Sequence, residues 1–418
     1  MTGRISWLWL LAIALVAANL RPVITSVPPI VDSLSVSLGL STVAAGALTT
    51  LPVVCMGLFA PVAVALGRRF GMPWVLNLSV LAIAAGCFLR AFALYPGTAL
   101  AGIGIAVAGA LLPSLVRLSV PELVGPVTGL YTASLIGGAL LAAGLTEPLR
   151  SAFDLSPQRV LAVWSVLALL ALVVWLAFGQ SARPYASRPP GLVEVRAPWR
   201  LYTRLPWRSR PAWLGTLYMG SQSLTFYAAL AWLGSRYTGL GFSPARAGAL
   251  LALFSATQVV TALAMPVLAH RRGSLRPFVA ACALATASGL LLVAVVPSSF
   301  AAAPWLWVAL LGLGMGGNLS LALTVLAGSA PSAHDVAGFT GMAFFVGYLL
   351  AAVGPVAAGA LLDRSGFKTV FLLLAVLGVL TLVVGLAAAP RPAAPAPAAP
   401  PAPQDPAAPA TGTAPRSR

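Results

Sequence analysis

The sequence predicts an all-α integral membrane protein of twelve transmembrane helices arranged as two pseudo-symmetric six-helix halves. Three observations carry that prediction. Hydrophobic residues make up 59% of the chain and charged residues only 8%, where a soluble domain carries about 25% charge. Apolar stretches long enough to cross a bilayer recur twelve times between turn signals. The second six repeat the first.

The spans are expected at residues 7–36, 42–66, 73–93, 97–118, 126–148, 158–179, 210–235, 244–268, 275–296, 304–327, 337–361 and 369–388. The repeat is visible by eye. GLSTVAAGAL at 39–48 answers GFSPARAGAL at 241–250, and RRFG at 68–71 answers HRRG at 270–273, both at a spacing of 202. The chain therefore divides into an N-terminal half (1–179), a basic linker (180–209), a C-terminal half (210–389) and a tail (390–418) rich in Pro and Ala. The tail has no apolar face to bury and is expected to be disordered. With both termini in the cytoplasm, the loops and tails on that side hold 17 of the 25 Arg and Lys residues, against seven on the other side, as the positive-inside rule requires. The same distribution accounts for the net charge of +17 without nucleic acid. Cys55, Cys87 and Cys282 are odd in number and lie in apolar runs, so they read as small core residues.

Arg21 is the remaining basic residue, near the middle of the first span. A charge there costs at least about 2.5 to 3.5 kcal/mol, so such a residue faces a protein interior or a wet cavity. Pro22, Pro28 and Pro29 remove backbone donors around it and are expected to bend the helix. Arg21, Thr25, Pro28 and Asp32 share one helical face, which is expected to look into a cavity. Arg21 reads either as a ligand-binding guanidinium, whose several donors suit a small anion or a nitro group, or as a partner for the carbonyls the prolines free.

At the repeat spacing Arg21 answers Ser223, which places Gln222 at nearly the same depth on span 7. Gln222 reads equally as a ligand contact or as an interhelical hydrogen bond. Tyr227, Tyr131 and Tyr348 could line the cavity or pack, and Trp232 reads as an interfacial anchor. Asn318 follows a run of glycines in span 10 that lets helices approach closely, leaving its amide to face inward or to pack. Asp32 and Glu147, toward the outer ends of spans 1 and 5, are the candidates for carrying a proton, with capping or solvation as the alternative. Arg117 and Glu122 read as a surface pair or as side chains that snorkel to the interface.

Six segments carry a resemblance: NLRPVITSVPP in span 1, TTLPVVCMGLFAP in span 2, LLPSLV in span 4, TGLYTAS in span 5, SQSLTFYAALAWL in span 7 and GMAFFVGYLLAAVGP in span 11. With the twelve spans they resemble the major facilitator superfamily and, within it, the bacterial cyanate and nitroimidazole transporters. The resemblance implies a monomeric transporter in the bacterial plasma membrane. Its small substrate would be anionic (cyanate-like) or nitro-aromatic, bound by Arg21, Thr25, Gln222, Tyr227, Asn318, Tyr131 and Tyr348, with a proton as the candidate companion. It further implies a conformational-gating loop at Arg68, Arg69 and Gly71, repeated as Arg271 and Gly273. The chain departs from the superfamily pattern at Arg68, where an acidic residue is usual, and from the narrower family at Met315 and at Gly109-Ala110.

Two related halves with a site between them form a transporter architecture. No enzyme inventory is present, because His270 and His334 lie in loops without a nucleophile or metal-ligand set. Neither a cofactor nor a metal is expected, and no phosphate-binding loop points to ATP. Proton-coupled efflux of a drug or metabolite, and a non-transporting membrane receptor or scaffold, are the rival readings.

Overall fold

The computed structural model describes residues 7–179, 205–295, 302–331 and 335–389. The tail and most of the linker, with His334, lie outside them. The described residues form helices joined by short turns, and ten helices are long and apolar enough to cross a membrane. Gly338–Ala388 counts once among the ten, although Gly366, at φ 72° and ψ 170°, turns the chain between spans 11 and 12. Arg210–Thr238 is not among them, because Thr216, Ser221, Gln222, Ser223 and Thr225 make it too polar. It is span 7 nonetheless, which completes the twelve.

Span 1 is broken rather than bent. Trp7–Ala18 ends ahead of two tight turns, a short helix Pro22–Thr25 follows, Pro28–Ile30 forms a 3₁₀ turn, and Val31–Leu38 resumes the helix. Each restart has a proline within its first two positions or follows directly on one that does, because proline fixes φ and has no donor to lose there. Several other helices overrun the expected bounds: span 2 is Thr42–Phe70, span 5 is Val124–Ala152 and span 8 is Pro244–Arg271.

The sequence repeat has a backbone explanation. Ser41 and Ser243 cap spans 2 and 8 by accepting from the backbone N–H groups of Ala44 and Arg246. Two residues earlier Gly39 and Gly241 hold positive φ, and after the same helices so do Gly71 and Gly273. The repeated motifs thus start and stop equivalent helices.

Buried apolar residues form three clusters. One belongs to the N-terminal half and includes Trp9, Val16, Val75, Leu111 and Trp175. Another belongs to the C-terminal half and includes Tyr218, Val279, Leu321 and Met342. The third mixes both halves, joining Ile24, Ile30 and Leu34 to Leu230, Leu233 and Phe254. The halves therefore share a core only on the side away from the chain termini.

At that side a seam joins span 2 to span 11, span 5 to span 8 and span 1 to span 7. Thr42 donates to Asp363 at 2.6 Å and Thr50 donates to the Ala352 carbonyl at 2.7 Å. A Cβ added to Gly46 would lie 2.6 Å from the Pro355 carbonyl oxygen. Only glycine permits so close an approach.

Candidate functional site

The broken stretch of span 1 positions Arg21 where the shared core gives way to the two separate ones. Its carbonyl accepts from the backbone N–H groups of Ile24 and Thr25, both at 3.0 Å, and from the Thr25 hydroxyl at 3.1 Å. The short helix is thereby tied to the residue that precedes it. The guanidinium is half-buried, and its Cζ lies 5.4 Å from the centroid of the Phe226 ring in span 7. A cation over a ring at this distance is worth about 0.5 to 2 kcal/mol, more when desolvated. The same charge acts on the hydroxyls of Tyr131, Tyr227 and Tyr348, from spans 5, 7 and 11. Among the described residues it has no carboxylate in ion-pair range and no side-chain hydrogen bond to the protein, so it does not serve as a partner for freed carbonyls.

An aromatic wall surrounds it. The Phe226 and Tyr227 rings meet edge to face at 4.9 Å, Phe226 stacks on Phe254 at 5.8 Å, and Tyr227 meets Tyr348 at 6.4 Å. The Tyr227 hydroxyl donates to the Met56 sulfur across the two halves, at 3.9 Å. Arg21, Tyr131 and Tyr348 are partly exposed, whereas Pro22 through Val31 are buried. The stretch between Arg21 and the seam is thus closed, and exposure begins at Arg21 itself.

Other candidates are occupied elsewhere. Asn318 is 1% exposed, accepts from the Tyr218 hydroxyl at 3.0 Å and donates to Thr286 at 3.1 Å. Its amide knits spans 7, 9 and 10 inside one half. Gln222 is buried and donates to Ser223 at 2.7 Å, one turn from Phe226. Glu147 is gripped by Arg150 through two bonds of 2.7 Å and accepts from Ser151. Asp32 is exposed at the seam and accepts from Ser235 and Thr238 of span 7, each at 2.6 Å. Together with Asp363 it borders a cleft of about 300 Å³.

In the expected gating loop, Arg69 and Arg271 are exposed, and Arg69 covers the Phe70 ring at 5.3 Å. The side chain of Arg68 lies outside the described ones. Gly71 and Gly273 have nothing within 4 Å of an added Cβ, so the positive φ is what calls for glycine. Arg117, Glu122 and His270 are exposed. Among the described residues no three of His, Cys, Asp and Glu gather as a metal site.

Trp232, expected as an interfacial anchor, faces protein rather than lipid. It is 4% exposed and donates to the Pro355 carbonyl at 2.9 Å, because span 11 packs over it. Sequence reasoning also passed over Phe226, whose only signal was its place beside Tyr227. Arg90 was missed as well: it is fully buried at the end of span 3, with all three guanidinium nitrogens lacking a hydrogen-bond partner.

The comparisons with known proteins point one way. The chain matches the Major Facilitator Superfamily over residues 9–352 and again over 238–417. It is 35% identical to an uncharacterized transporter of Bacillus subtilis, with 87% of this chain and 88% of that one covered. To the 2-nitroimidazole transporter of Escherichia coli it is 34% identical, with 93% and 97% covered. To the cyanate transport protein of the same organism it is 30% identical, with 85% and 90% covered. Among solved structures, a mutant of the nucleoside transporter NupG superposes with a TM-score of 0.73 at 13% identity, covering 91% of this chain and 99% of that one.

Proposed function

Because the chain belongs to the Major Facilitator Superfamily of membrane transporters, we propose that it carries a small planar anion or nitro-aromatic compound, bound beside Arg21 and released by alternating access. One observation carries this reading. The Arg21 guanidinium has neither a carboxylate nor a hydrogen-bond acceptor from the protein among the described residues, yet stands among aromatic rings and tyrosine hydroxyls. A half-buried cation left without a counter-charge favours a ligand that supplies one. Flat aromatic walls favour a planar one. The relatives named for 2-nitroimidazole and cyanate support the same class of cargo.

The seam closed on one side and the separate cores on the other support a rocking motion of residues 7–179 against 210–389. With both termini cytoplasmic, the site faces inward. An anion entering against an inside-negative potential climbs about 2.3 kcal/mol per 100 mV, which an accompanying proton would offset. Asp32 suits that proton better than Glu147, because its partners are neutral hydroxyls while Glu147 is held by Arg150.

Proteoliposomes loaded against labelled cyanate and labelled 2-nitroimidazole test the reading. Uptake of one of them is expected, Arg21→Gln should nearly abolish it and Arg21→Lys should weaken it, with both variants folded. A folded Arg21→Gln protein that transports at the wild-type rate and affinity would refute the role given to Arg21.

A further inference from the structure

Span 11 is not a uniform helix. Val336–Met342 is α-helical, Ala343–Gly347 forms a π-turn, and the α-helix resumes at Tyr348. A π-turn carries one residue more than the α-helix around it, and such turns gather at functional sites. This one lies where three things meet. Tyr348, directly after it, belongs to the wall around Arg21. Beyond it, span 11 is fastened to span 2 of the other half, through Ala352 with Thr50 and Asp363 with Thr42. Before it, span 11 packs in the core of its own half and against Leu205 and Pro206 of the linker; Phe339 and Met342 are buried, and Gly338, Thr340 and Gly341 are partly exposed.

Two close contacts bracket the turn. A Cβ on Gly57 of span 2 would lie 3.2 Å from the Phe345 carbonyl oxygen. On the opposite side, a Cβ on Gly220 of span 7 would lie 3.2 Å from the Gly347 Cα. The turn is thus pinched between glycines of both halves at the level where the halves part. The end of the linker also reaches it, with the Trp207 ring 6.4 Å from Phe345.

We propose that this π-turn is the hinge of span 11: when the seam opens, Ala343–Gly347 returns to the α form and the segment before it rotates by one residue. The proposal rests on the alternating access inferred above. It goes beyond a rigid-body rock, since it adds a change of register inside one helix. Absorbing the extra residue brings Thr340 to the place Phe339 now holds and turns the segment by about 100°. Phe339 then moves to the partly exposed place of Gly338.

The test reads cysteine reactivity and needs no substrate. Phe339→Cys and Thr340→Cys are made singly in the full chain and exposed to a water-soluble maleimide, the native Cys55, Cys87 and Cys282 being buried. With the seam closed, the cysteine at 339 should be protected and that at 340 reactive. Gly46→Leu wedges spans 2 and 11 apart, and Thr49→Cys, at a position of span 2 that is 1% exposed, reports whether the seam has opened. In the opened protein, protection should shift from 339 to 340. Deleting Phe344 removes the extra residue and leaves the register before it unchanged, so when the seam is opened in this variant protection should stay at 339. An opened seam with protection unmoved in the chain that keeps Phe344 overturns the hinge, as does a shift that persists in a folded, opened deletion variant. Should the deletion variant fail to fold, the Gly46→Leu arm decides alone. A seam that stays closed in Gly46→Leu overturns the rocking motion, and the hinge that rests on it.

Discussion

Spans 1 and 7 hold equivalent places in the two repeats and face each other across the molecule, yet one is broken into four pieces and the other runs unbroken for 29 residues. Proline explains the difference. Span 1 has Pro22, Pro28 and Pro29 in its interior, while span 7 has only Pro211, at its first turn, where no donor is lost. The consequences are electrostatic. In the unbroken helix Gln222 is spent on Ser223, Thr225 on the Ser221 carbonyl and Tyr218 on Asn318, all inside the same half. In the broken one a guanidinium is left without a protein acceptor, and the unbroken partner supplies the ring beside it. A duplicated frame thus yields one half that presents charge and one that presents a wall.

The sharpest way to break this comparison is to exchange the two positions. Arg21→Ser combined with Ser223→Arg keeps the charge count but buries it in a continuous helix, at a site 2% exposed. Transport should be lost, and thermal stability should fall by several kcal/mol, as burying an uncompensated charge does. An exchanged protein that transports normally would mean the break in span 1 is irrelevant.

Asn318→Ala comes next. It strips the acceptor from Tyr218 and the donor from Thr286 within one half, so unfolding should become easier by about 1 to 3 kcal/mol. Affinity for the cargo should stay as it was, and a matching loss of affinity would place Asn318 in the site after all.

Phe226→Leu removes the ring from under Arg21 while keeping apolar bulk. The cation–π contact it deletes is worth about 0.5 to 2 kcal/mol, so a titration should show binding weakened by about two- to thirtyfold. Unchanged affinity would reduce Phe226 to packing. The smallest effect is expected from Thr25→Val, whose hydroxyl bonds only to the Arg21 carbonyl. Its loss should change stability and transport by less than about 1 kcal/mol, and a larger fall in transport would give Thr25 a direct contact with the cargo.

The twelve spans, the internal repeat and the singular position of Arg21 were determined by the sequence alone. Each rests on local chemistry: length of an apolar run, placement of Gly, Ser and Pro, and one charge where lipid surrounds a helix. The break in span 1 was half legible, since the prolines predict disruption but not that three helical restarts would result. What surrounds Arg21 was decided only by tertiary structure. Phe226 lies 205 positions away along the chain, Tyr131 and Tyr348 come from two further helices, and no periodicity connects them. The fate of Asn318 and Glu147 was equally hidden. A polar side chain in an apolar helix looks the same in sequence whether it meets a ligand or a neighbour, and only the fold supplied Tyr218 and Thr286 for Asn318. The π-turn in span 11 had no sequence signal at all. Its extra residue is held by glycines on two other helices, and a constraint of that kind exists only once the helices have packed.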